Sequence, residues 1–160
     1  MNSELDLQNE IKLVVDYTKT LEQAIADGKY DKKNENINDK NFPVSPKMIG
    51  KKIEVSAKIF PFNCQTSSED VIFEMSKVGY RPATLMELLV LGCLYPELQR
   101  QFTIIALGSI QLTYTDFKSV AHYRFVPCLY LGLFSKRQLC LRSFDSSTDV
   151  NERYLGILIS

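Results

Sequence analysis

Twelve residues, Val78-Gly79-Tyr80-Arg81-Pro82-Ala83-Thr84-Leu85-Met86-Glu87-Leu88-Leu89, constrain the fold more than any other part of the chain. They spell the end of one helix, a tight corner and the start of a second helix. Gly79 takes the left-handed conformation that closes a helix. Pro82 is excluded from a helix interior and sits comfortably just before one. Thr84 and Glu87 have capping-box spacing, in which the hydroxyl and the carboxylate satisfy free amides of the new first turn. Gly79, Arg81, Pro82, Thr84 and Glu87 therefore read as a structural hinge, with Arg81 and Glu87 as an ion pair or cap rather than as chemistry.

The flanks fix what the hinge joins. Lys51 to Phe60 alternates Ile53, Val55, Ala57 and Ile59 with Lys52, Glu54, Ser56 and Lys58, a strand with one buried face. Ser67 or Ser68 caps a short helix whose core side is Val71, Ile72, Met75 and Val78. The second helix, Leu85 to Tyr95, is apolar over most of its circumference and belongs at the centre of the fold. From Phe102 the pattern changes to β-branched and aromatic runs. Strands are expected across Phe102–Leu107, Ser109–Tyr114, Ala121–Phe134 with Pro127 at an edge or break, Gln138–Phe144 and Arg153–Ile159. Helices segregate from strands, which argues α+β: two short helices packed on a curled antiparallel sheet.

Upstream, Ile11, Val14, Val15, Thr18, Leu21 and Ile25 recur at three- and four-residue spacing. This predicts one amphipathic helix over 4–27, either packed on its own domain or serving as a dimer or partner contact. Residues 29–46 read as a polar linker followed by an extended Phe42-Pro43-Val44-Ser45-Pro46 segment. The expected organisation is an N-terminal helix (1–28), a linker (29–46) and an α+β domain (47–160).

Further likenesses rest on these motifs. Gly79-Tyr80-Arg81 with Thr84, Glu87 and Leu88, and the ending Arg153-Tyr154-Leu155-Gly156-Ile157-Leu158, resemble the bacterial branch of the C-type-lectin-like fold. Three marks together resemble a family of small bacterial proteins of uncharacterised activity: Ile37 to Pro43, the hinge Gly79 to Leu89, and the run Tyr95 to Ser109. The resemblance spans roughly residues 28–160. The C-type-lectin-like likeness implies a lectin-like scaffold and, through formylglycine-generating relatives on that fold, raises cysteine chemistry as one alternative.

The chain carries 19 basic and 19 acidic residues and so has no basic excess of the kind nucleic acid demands. It has no run of ~18 apolar residues, so no membrane span is expected. Its first ten residues are acidic and polar, unlike a secretory signal peptide. A cytoplasmic setting follows, with Cys64, Cys93, Cys128 and Cys140 as reduced thiols. No C-x-x-C pair occurs, and His122 is the sole histidine, so neither a metal nor a cofactor is expected. His122 lacks a predictable orienter and nucleophile and reads as a strand residue. Cys128 and Cys140 are possible cross-strand neighbours.

With no catalytic constellation, the first expectation is a non-enzymatic module that binds a protein partner. Its binding elements would be the strand loops near 115–119, 135–137 and 145–152 and the helix 4–27, which also offers a homodimer contact. Tyr114, Phe117, Lys136, Arg137 and Arg142 are the candidate binding residues, the last three as a basic patch. The alternatives are a cysteine-dependent enzyme and a small phage- or defence-related inhibitor of another macromolecule.

Overall fold

The computed structural model describes residues 9–114 and 122–160, with positions 113, 114 and 122 described as backbone only. In chain order the elements are β1 (Ile11–Asp16), α1 (Leu21–Asp27), β2 (Lys32–Lys33), β3 (Lys52–Pro61), α2 (Ser68–Lys77), β4 (Tyr80–Pro82) and α3 (Leu85–Leu94). They continue with β5 (Thr103–Ile105), β6 (Gln111–Tyr114), β7 (His122–Leu131), β8 (Arg137–Ser143) and β9 (Glu152–Leu158). Among the described residues no helix is long and apolar enough to cross a membrane.

The strands form one open sheet in the order β1-β3-β9-β5-β7-β8-β2, with β4 also on β9 and β6 also on β7. The α+β class holds, but the sheet is mixed rather than antiparallel. β5 runs parallel to β9, pairing Thr103–Ile105 with Glu152–Tyr154, and β2 runs parallel to β8. Residues 29–46 do not float free. The Asp31 and Asn34 amides donate to the Arg137 and Leu139 carbonyls, and Ile37 and Phe42 are buried.

The period-two rule of strands divides the interior. Ala57, Ile59, Ile104, Leu129, Leu155 and Ile157 face one core, which α1 and α3 cover. Phe60, Ile105, Val126, Cys128 and Tyr154 face the other, which α2 covers through Val71 and Met75. The two short helices thus lie on opposite faces of the sheet and not side by side. The hinge is the crossing: Gly79 turns at φ 85°, Tyr80–Pro82 pair with Leu158–Gly156 as β4, and α3 begins on the far side. Val78, expected in the core of α2, is exposed at this corner.

The single helix expected over 4–27 is corrected across the described residues, and residues 1–8 lie outside them. Ile11, Leu13 and Val15 are buried in alternation, and Val14 is 52% exposed. Ile11-Lys12-Leu13-Val14-Val15 satisfies both a helical and a strand period, and pairing with β3 decides for the strand. The Asp16 carboxylate then accepts the Thr18 amide and hydroxyl, an Asx turn that ends the strand. Thr20 and Gln23 form the capping box of a much shorter α1. The continuous helical stripe proposed as a dimer face is therefore absent over 11–16.

Pro127 has a definite place. β7 pairs with β5 through Cys128–Leu129 and with β6 through His122–Phe125, and Pro127 falls in the gap between them. A missing N–H costs little there.

Gly108 locks the crossing. Its amide donates to the Ala83 carbonyl at 2.8 Å, and a Cβ would lie 2.6 Å from that oxygen and 2.7 Å from the Pro82 oxygen. Both obstacles are backbone. Gly108→Ala is expected to lower stability by about 2 kcal/mol. Gly79→Ala, where the space is open and only the positive φ is at stake, should cost about 1 kcal/mol. Urea unfolding of the two variants checks the order.

Candidate recognition surface

The hinge residues assemble as a compact polar knot. Arg81 grips Glu87 bidentately, Nη1 to Oε1 and Nη2 to Oε2, both at 2.9 Å. Glu87 Oε1 also accepts the Thr84 amide at 2.8 Å and the Thr84 hydroxyl at 2.9 Å. Glu87 is only 1% exposed. Its charge sits in the first turn of α3, where the helix dipole favours an anion.

Beside the knot lies a cleft of about 380 Å³, bounded by Tyr17, Asn41, Phe42, Thr84, Ser109 and Ile110. All three sequence marks therefore border one cleft. Two of its polar groups are already spent on the scaffold: Thr84 binds Glu87, and Ser109 Oγ accepts the Leu85 amide at 2.8 Å. The marks coincide because the segments interlock, and among the described residues that line the cleft none is a nucleophile paired with a base.

The expected basic patch of Lys136, Arg137 and Arg142 is not brought together. Only Lys136 is exposed. Arg142 lies against Glu152, with Nη2 at 2.8 Å from Oε1, and donates further to the Ser143 and Ser147 carbonyls. Arg137 is 7% exposed and points inward. Its Nη1 donates to the Gly28 carbonyl at the end of α1, its Nη2 to the Gly92 carbonyl in the last turn of α3, and its Nε to Gln99. The guanidinium also stacks 5.0 Å above the Tyr30 ring. It is a cation serving two helix C-termini at once. The Tyr114 side chain and Phe117 lie outside the described residues.

The surface has a different prominent feature, at the turn between β7 and β8. Gly132 donates to the Lys136 carbonyl at 2.8 Å, and Lys136 closes back on Leu133. Phe134 (φ 59°, ψ 32°) and Ser135 (φ 57°) hold positive φ in succession. Type I′ hairpin turns require this, and they favour Asn-Gly in those places. A side chain there costs roughly 1–2 kcal/mol. Phe134 is nevertheless 92% exposed and Leu133 82% exposed, so burial offsets none of that cost. The tip is held firmly from below, with Arg100 Nη1 donating to the Ser135 carbonyl at 3.1 Å. The Gln138 side chain fills the space a Cβ on Gly132 would need. Sequence reasoning placed a turn at 135–137 but missed the two apolar residues at its apex. A Phe-Ser pair where a hairpin demands Asn-Gly was the available signal.

Cys128 and Cys140 do meet. They are directly opposed on β7 and β8, with sulfurs 3.1 Å apart and both thiols free. The hydrogen bond between the two thiols lowers the Cys140 pKa, and the same bond together with burial raises that of Cys128. Among the described residues no group of three or more His, Cys, Asp or Glu is disposed to hold a metal.

Two substitutions separate scaffold from surface. Arg137→Met strands two helix-end carbonyls and is expected to lose about 3 kcal/mol. Phe134→Gly relieves the turn and should gain about 1 kcal/mol. Denaturant midpoints measured in parallel test both signs. Comparison of the chain with protein-family models, with curated proteins and with solved structures finds no match.

Proposed function

We propose that this protein is a non-enzymatic binding module that engages a protein partner through the β7–β8 hairpin. Leu133 and Phe134 are the anchor and Lys136 the charged rim. The observation that carries this reading is the strained, exposed Phe134 on a braced turn. Non-glycine residues persist in such conformations where surrounding structure holds them, and they gather at sites of function. Aromatic side chains held rigidly lose little entropy on docking and often dominate binding energy. The distributed hydrogen bonding of the hinge, with its polar groups already paired, supports a scaffold rather than a reaction centre.

The C-type-lectin-like reading belongs to the same proposal. It is supported by the element sequence of strand, helix, hinge and helix, followed by strands that end on Glu152–Leu158. In that reading the module presents its partner-binding side chains on a loop between late strands.

Photo-crosslinking tests the proposal. A crosslinking residue at position 134 should give a discrete adduct with a partner protein, and one at Val150, 67% exposed on a different loop, should not. With that partner in hand, the double substitution Leu133→Ser, Phe134→Ser should weaken binding by about 2 kcal/mol, roughly thirtyfold in Kd, with an unchanged fold. Equal labelling at the two positions, or unchanged affinity, defeats the reading.

A further inference from the structure

The thiol pair under the hairpin is independent of the recognition tip. In antiparallel strands the residue pairs alternate between those that exchange backbone hydrogen bonds and those that do not. The Gly132 amide to Lys136 and the Phe144 amide to Arg124 fix that alternation for β7 and β8. Cys128 and Cys140 then fall at a hydrogen-bonded pair, whose Cα atoms stand about 5.5 Å apart, within the range a disulfide spans. Their sulfurs are 3.1 Å apart, so closing to a bond of about 2.05 Å takes about 1 Å of movement with the ladder intact. The two thiols differ in access. Cys128 is buried with Ile105, Val126 and Tyr154, whereas Cys140 is partly exposed. Cys64 and Cys93 are exposed elsewhere, and neither has a thiol opposite it in the sheet.

We propose that Cys128 and Cys140 form a reversible dithiol–disulfide couple that exchanges with small-molecule disulfides, with Cys140 the attacking sulfur and Cys128 the resolving one. Cys140, as thiolate, attacks one sulfur of the small disulfide. That S–S bond breaks, and one thiol departs with the electron pair, leaving a mixed disulfide on Cys140. Cys128 then gives its proton to solvent and attacks the Cys140 sulfur, expelling the second thiol. Two protein thiols are oxidised to one disulfide, and the small disulfide is reduced to two thiols, which carry the two protons. Access and thiolate character both assign the first step to Cys140, which is the more exposed of the two and whose pKa is lowered by its contact with Cys128.

The test uses the full chain carrying Cys64→Ser and Cys93→Ser, equilibrated in glutathione buffers of stepped reduced-to-oxidised ratio. The samples are then acid-quenched, alkylated and weighed intact. The expected product has lost both alkylation sites, retains no glutathione and is restored by dithiothreitol. Adding Cys128→Ser should trap glutathione stably on Cys140, and adding Cys140→Ser should leave Cys128 unmodified. The folded chain should form the bond at an oxidised-glutathione level at least about tenfold lower than the same chain in guanidinium, because the sheet sets the effective concentration. The proposal is overturned if both thiols stay alkylatable throughout the series or if glutathione persists on Cys140 while Cys128 is present. Equal oxidation of folded and unfolded chain overturns it as well.

Discussion

One guanidinium stands where two helices run out against a strand. The carbonyls at the end of a helix have no partners of their own, and their dipoles sum to a partial negative charge. In this fold the ends of α1 and α3 converge, so two such charges point into the same interior space. Arg137 answers both with one rigid fork, which a lysine cannot imitate. Tyr30 completes the joint. Its ring lies across Gly28 and Gly92 so closely that a Cβ at either would collide with it, and the guanidinium lies over the ring. The parts of this joint come from β8, two helix ends and the segment leading into β2. Together they hold the helical layer on its face of the sheet.

The second constraint is the crossing at Gly79–Leu85. A chain that leaves one core and enters another must carry its polar backbone past the sheet without leaving groups unpaired. Here the passage is made as strand, with Tyr80–Pro82 on β9, and then closed by Glu87, which takes the Arg81 fork and the Thr84 amide together. Gly108 and Ser109 seal it from the side. The hinge motif and the later run are thus two halves of one joint.

The sequence revealed most where local rules act alone. The caps at Ser67 and Thr84, the alternation of β3 and the stop at Gly79 all follow from backbone needs within a few residues. β1 was misread because Ile11 to Val15 fits two periods, and only its pairing with β3 selects one. The parallel β5–β9 contact and the placement of the helices on opposite faces depend on partners far away in sequence. Arg137 is instructive. It shares strand parity with Leu139, so the alternation of β8 already put it on the buried side, and its charge hid that. Cys128 opposite Cys140 was within reach of the pattern. The exposure of Phe134 had only an indirect signal, a Phe-Ser pair at turn positions that favour Asn-Gly, and Leu133 had none, because no local rule says which apolar residues a fold leaves outside.

Among the described residues β9 lies between β3 and β5 and is the sole partner of β4, so it joins what would otherwise be two separate half-sheets. Its residues, 152–158, lie at the far end of the sequence given. A ribosome reads from the other end. The strands up to β8 therefore emerge with their central seam vacant, and the apolar flanks of that seam, Ile59 and Ile104 among them, wait uncovered until residue 158 has left the exit tunnel. Closure of the sheet therefore waits for β9, and the strands made before it must be kept from pairing with other chains in the meantime.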